Sequence, residues 1–178
     1  MAKQLPYTTL KEIFTRFQAA EPEPKGELNH TNAYTLLVAV ALSAQATDVG
    51  VNKAKNVMKM ARILVEEYGG EVPSSRAALQ SLPGVGRKTA NVVLNMWWRY
   101  PAQAVDTHIF RVGNRSGICP GKDVDAVERA IEDNIPVEFQ QHAHHWLILH
   151  GRYKCKARKP GCATCLIKDL CAYEDKTE

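Results

Sequence analysis

Leu82-Pro-Gly84-Val-Gly86-Arg-Lys88-Thr-Ala-Asn-Val-Val-Leu94 is the stretch on which the fold turns. Its Pro-Gly-Val-Gly core makes a tight turn, and the two glycines let the backbone bend sharply and approach a ligand closely. Ahead of the turn, Ser74 or Ser75 is placed to cap a short helix carrying Leu79 and Leu82. Behind it, a helix is expected from Arg87 to about Trp98. The N–H groups that open this second helix point outward and can hold a phosphate. A Gly-x-Gly turn alone is usually only a turn. Between two helices, and followed by Arg87-Lys88-Thr89, it becomes a helix-hairpin-helix candidate, a device that grips DNA backbone without reading sequence.

Outward from the hairpin, the chain keeps helical spacing. Leu10, Ile13, Phe14 and Phe17 repeat at i, i+3, i+4 and i+7, with Thr9 and Glu12 as a candidate capping box. Glu21-Pro-Glu-Pro-Lys-Gly26 ends that helix. An apolar helix is expected from about Ala33 to Ser43, and another from near Val49 through Ile63 and Val65 towards Gly69-Gly70. Asp106 suits the N-cap of a helix that buries Val105, Ile109 and Val112. Val124–Ile135 and Val137–His150 complete the set. No alternating strand pattern is present, so the expected class is all-α.

The last part of the chain holds Cys155, Cys162, Cys165 and Cys171 in the spacing C-x6-C-x2-C-x5-C. Soft thiolates favour an iron–sulfur cluster or zinc. Lys154, Lys156, Arg158 and Lys159 crowd the same segment, with Arg152 beside them. The net charge of +4 is modest, but clustered cations favour a polyanion. The simpler reading of such a run by itself is a solvated loop. The N-terminus has no apolar signal core and no apolar run approaches a membrane span, so a soluble, cytoplasmic protein is expected. In a reducing compartment five cysteines read as ligands rather than disulfides, with Cys119 left over as a structural thiol.

Lys88 falls in the first turn after the hairpin loop, where the helix dipole disfavours its ammonium form. An uncharged lysine amine can attack carbon and form a Schiff base. An exposed lysine bonded to phosphate is the simpler reading of the motif alone. Asp106 opens the next helix; besides capping, its carboxylate can stabilise a developing cation or position a proton.

Several segments together resemble the endonuclease III family. The hairpin Leu82–Leu94 does, as do Val105-Asp-Thr-His-Ile-Phe-Arg-Val112, His145-Trp-Leu-Ile-Leu-His-Gly-Arg-Tyr153, Leu42-Ser-Ala-Gln-Ala-Thr-Asp48 and the cysteine spacing. The resemblance covers nearly the whole chain. It implies a base-excision DNA glycosylase with β-lyase activity, acting on oxidised pyrimidines in double-stranded DNA and on abasic sites. It also implies Lys88 as the nucleophile, Asp106 as the catalytic carboxylate, and the four cysteines as ligands of a structural, redox-responsive [4Fe-4S] cluster. Gln45 matches the residue that fills the space of an extruded base, and Asp48 a position near the lesion pocket. Leu82, Gly84, Val85, Gly86 and Arg87, with Lys154, Lys156, Arg158 and Lys159, would hold the flanking phosphates. The implied architecture has two helical lobes with DNA between them. One is a bundle over residues 22–134 with its hairpin at about 79–98. The other joins residues 1–21 to 135–178 and carries the cluster.

One departure is large. The family carries roughly thirty further residues, about two helices and a loop, between the Ser-Ala-Gln-Ala-Thr-Asp motif and the hairpin. Here Val51-Asn-Lys-Ala54 runs straight into Lys55-Asn-Val-Met-Lys-Met-Ala-Arg-Ile-Leu64. The missing stretch includes a loop that wedges into DNA at the lesion. Two other readings therefore stand beside the glycosylase. One is a DNA- or abasic-site-binding protein whose catalysis is impaired. The other is a zinc-stabilised structural module, which the cysteine order makes less favourable. A monomer is expected, with association possible through apolar surface that the shortened bundle uncovers. Smaller expectations are packing for His142, His144 and His145, core or lobe-interface positions for Trp97 and Trp98, and phosphate contacts or surface ion pairs for Arg111 and Arg115.

Overall fold

The structure, a computed structural model, describes residues 2–43 and 50–177. Among them every regular element is helical: α1 Tyr7–Ala20, α2 Ala33–Ser43, α3 Gly50–Tyr68, α4 Arg76–Ser81, α5 Arg87–Trp98, α6 Thr107–Ser116, α7 Val124–Asn134 and α8 Val137–Leu149. A π-helical turn, His150–Lys154, follows α8 directly. The all-α expectation holds. None of these helices is long and apolar enough to cross a membrane.

The start of α1 differs from the expectation. The helix begins at Tyr7 behind Pro6, and no side chain caps it. Thr9 is already helical, so Thr9 and Glu12 form no capping box. Proline before the first helical residue presets the backbone for entry and leaves no N-cap to Thr9.

The chain divides into two compact units, Gly26–Ala104 and the discontinuous Met1–Lys25 with Val105–Glu178. Each owns a separate hydrophobic cluster. In the continuous unit, Leu36, Leu37 and Val40 of α2 join Met60 and Leu64 of α3, Leu79 of α4 and the apolar face of α5. Asn91 and Asn95 of α5 donate to the carbonyls of Gln103 (2.6 Å) and Ala102 (3.1 Å), which fixes the segment after the helix.

In the discontinuous unit, Leu10, Ile13, Phe14 and Phe17 of α1 pack among residues of α6, α7 and α8. The Phe14 ring lies 6.0 Å from Phe139 and 6.1 Å from Trp146, and Trp146 Nε1 donates to the Glu21 carbonyl at 2.8 Å. Cys119 is fully buried, and burial pushes its thiol up to about 12, as befits a structural cysteine. By packing, α6 and α7 lie in this unit and not with a bundle that runs to residue 134. Amphipathic spacing tells that a helix has an apolar face but not which core receives it.

Candidate nucleic-acid and metal sites

Ser75 caps α4 by accepting from the Ala78 N–H at 3.2 Å. Leu79 and Leu82 then bury themselves beneath the turn. The turn itself is Leu82-Pro83-Gly84-Val85, closed by Val85 N–H donating to the Leu82 carbonyl at 3.1 Å. Proline at its second position and φ of +81° at Gly84 make it type II, which demands a residue free to enter the left-handed region. Gly86 then serves as the N-cap of α5, and glycine offers no capping side chain. The positive end of α5 is thus without a side-chain cap, the condition under which a helix start accepts an anion.

Gly84, Gly86, Arg87 and Lys88 are exposed around this end. Leu82 and Val85 are not: they are 2% and 5% accessible, so their side chains serve the core and only their backbone can meet a ligand. Lys88 lies in the first turn of α5 within the continuous unit. Asp106 caps α6 in the other unit, where one carboxylate oxygen accepts from the His108 and Ile109 N–H groups at 2.9 Å each. Its second oxygen has no part in that cap. Gln45 and Asp48 lie outside the described residues.

The four cysteines are partly buried, free of disulfides, and line one pocket that opens to solvent. Two turns present them: Cys165 N–H donates to the Cys162 carbonyl at 3.1 Å, and Cys171 N–H to the Ile167 carbonyl at 3.0 Å. Burial pushes the Cys165 and Cys171 thiols up, and the neighbouring cysteines add to the effect, against backbone hydrogen bonds that favour the thiolates. Among the described residues, no three His, Cys, Asp or Glu side chains converge tightly enough to hold one ion. Four soft thiolate donors along one pocket suit an iron–sulfur cluster or a zinc ion. N–H groups face the sulfurs: Tyr173 N–H lies 3.5 Å from Cys171 Sγ and an Arg115 N–H 3.6 Å from Cys155 Sγ. His150 Nε2 lies 3.8 Å from Cys165 Sγ.

The basic loop beside the cavity divides by role. Lys156, Arg158 and Lys159 are exposed, while Lys154 is half-buried and bonds Thr164 Oγ1 at 2.9 Å. Among the described residues, Arg111 and Arg115 enter no ion pair with a carboxylate. Arg111 donates to the carbonyls of Cys155 (3.0 Å) and Gly151 (2.7 Å). Arg115 donates to Lys156 (2.7 Å) and lies over the Tyr173 ring at 4.9 Å. They clamp the cysteine segment onto α6. The i, i+4 spacing of the two arginines was visible in the sequence, but carbonyl acceptors some forty residues away were not. His144 and His145 are buried, as expected of packing residues, and Trp97, at 41% exposed, does not take the core position, one of the two expected for it.

Comparison with known proteins accords with this geometry. Residues 67–95 match the family model described as a helix-hairpin-helix motif. The chain is 48% identical to endonuclease III of Escherichia coli (strain K12), an alignment that takes in 94% of this chain and 96% of that protein. It is 46% identical to endonuclease III of Haemophilus influenzae at the same coverage. Both alignments run over 203 residues, more than the 178 of this chain, so part of each relative has no counterpart here. Among solved structures, a trapped endonuclease III–DNA covalent intermediate superposes with a TM-score of 0.84 at 36% identity, over 94% of this chain and 96% of that one. A thermostable thymine-DNA glycosylase shares the fold, with a TM-score of 0.78 at 21% identity over 96% and 98% of the two chains. The identity and coverage place this chain in the endonuclease III family.

Proposed function

We propose that this protein is a base-excision repair DNA glycosylase for oxidised pyrimidines, with an abasic-site lyase activity carried by a lysine Schiff base. The observation that carries the reading is the exposed Lys88 in the first turn of α5, beside an anion-accepting hairpin, in a chain close to proteins named endonuclease III. A solved relative was captured as a covalent intermediate with DNA.

A base inside a duplex is out of reach, so the lesion is flipped out first. The neutral Lys88 amine attacks the sugar C1′, and the damaged base leaves with the electron pair of the glycosidic bond. The sugar ring opens to give the Schiff base, which makes the 2′ proton acidic. Loss of that proton expels the 3′ phosphate and nicks the strand. Asp106 stabilises the positive charge that develops on the sugar and helps free the amine. The backbone from Gly84 to Arg87 and the exposed Lys156, Arg158 and Lys159 hold flanking phosphates. Cys155, Cys162, Cys165 and Cys171 would hold a [4Fe-4S] cluster, which supplies structure to the basic loop rather than bond cleavage.

Borohydride trapping on a duplex carrying one thymine glycol tests the reading, with Lys88→Ala alongside. A covalent protein–DNA band is expected from the wild type and none from the variant, which retains duplex affinity. No band from wild-type protein showing the brown absorbance of an iron–sulfur centre would sink the enzyme and leave a DNA-binding protein. The part of the relatives missing here is the specific ground for that second reading.

A further inference from the structure

The outer face of α3 carries a row of cations. Lys55, Lys59 and Arg62 fall at i, i+4 and i+7, so they share one face, and all three are exposed. None of them joins the ion pairs found among the described residues. The opposite face holds the buried Met60 and Leu64, so the row points away from the core of its unit. It spans about 10 Å of helix. At the far end the sign reverses with the exposed Glu66 and Glu67.

This charge order opposes the field of the helix. The first turn of α3 contains no acidic residue and the last contains no basic one, whereas the dipole favours acids at the start and bases at the end. A helix that breaks a local rule without a packing gain marks a surface kept for another purpose.

Position gives the row its partner. Asn56, next to Lys55 and one turn before Lys59, packs on the hairpin: a Cβ on Gly84 would lie 3.1 Å from Asn56 Cβ. The cationic row therefore begins beside the turn, and the acidic end of α3 lies further along the helix from it. We propose that Lys55, Lys59 and Arg62 form a second phosphate-gripping strip, which continues the hairpin's hold along the backbone of duplex DNA. The strip rests on the DNA reading above and extends it to residues outside the hairpin, the catalytic pair and the cysteine loop. It reads no bases, because cations on phosphates fix position and not sequence. Each phosphate it neutralises releases counterions, so its signature is salt dependence.

The test is the affinity for a short undamaged duplex, measured by fluorescence anisotropy across a range of salt. Three proteins are compared: wild type, Lys55→Gln/Lys59→Gln/Arg62→Gln, and a control losing three exposed charges elsewhere, Lys3→Gln/Lys25→Gln/Lys122→Gln. Glutamine is a good helix former, so α3 should persist, which circular dichroism checks. At roughly 0.9 per phosphate, the slope of log affinity on log salt should become shallower by about 2 to 3 in the strip variant and hardly change in the control. Equal slopes in wild type and strip variant overturn the strip. So does sedimentation showing that the wild type self-associates through this face and the variant does not, since Met58 and Val65 beside the row are 74% and 67% exposed. The slope reports binding and not chemistry, so trapping can fail while the strip stands, and the reverse. A wild type without salt-dependent affinity overturns the strip and the DNA reading together.

Discussion

Gly84 is the residue on which the hairpin depends. Its φ of +81° lies where a side chain is strained, and an added Cβ would press on Asn56 at 3.1 Å. Gly84→Ala should cost about 1–2 kcal/mol from the left-handed backbone alone. A urea midpoint lowered without change of slope would show it, and an unchanged midpoint would mean that the turn does not need the glycine. This requirement was legible in the sequence, since Pro-Gly in a turn specifies the conformation locally. The burial of Val85 was not, because it belongs by sequence to the loop and by packing to the core. Arg111 and Arg115 make the same point from the other side. Their charge suggested anions, and the fold spends them on the carbonyls of a distant segment.

At the scale of elements, α6 carries Asp106 at its start and the two clamping arginines further along. The capping and the proposed catalytic role of Asp106 can be separated by substitution. Asp106→Asn keeps an acceptor for the His108 and Ile109 N–H groups, so stability should hold within a few tenths of a kcal/mol, while Asp106→Ala should lose about 1 kcal/mol. Both should lose the trapped band. If Asp106→Asn traps like the wild type, the carboxylate is only a cap. A second element-level contact ties α1 to the cysteine segment. Arg16 donates to both oxygens of Asp169 (2.6 and 3.0 Å) and to the Leu166 carbonyl. The hydrogen bonds from Arg16 hold the Asp169 carboxyl below its ordinary range. Its contribution is therefore present above the ordinary carboxylate pKa and lost as pH falls through the lowered value. The effect is small because the pair is exposed. Asp169→Asn should flatten the acid limb of a stability–pH curve, and an unaltered limb would show that the pair contributes nothing.

At the scale of the molecule, the two cores are independent in composition, so perturbation of one need not reach the other. Removing iron from the proposed cluster by oxidation and chelation should abolish the visible absorbance. It should also speed tryptic cleavage within residues 154–168, a stretch of short turns held largely by side-chain bonds to its carbonyls. Cleavage at Arg87 and Lys88, in the unit with its own core, should keep its rate. Equal protection of residues 154–168 before and after iron loss would mean that the cysteine segment folds without its cluster.

The sequence by itself determined the helices and the hairpin, because apolar spacing, turn glycines and caps act over a few residues. Ser75 and Asp106 cap helices as read, and the four cysteines come together as their grouping implied. It failed at Thr9, where Pro6 stands at the N-cap and α1 is already under way. Only the tertiary structure decided which helices share a core, since α6 and α7 carry apolar faces that suit either neighbour in one dimension. It also decided which cations hold carbonyls. That choice depends on groups brought together from distant parts of the chain, a proximity that no local pattern encodes.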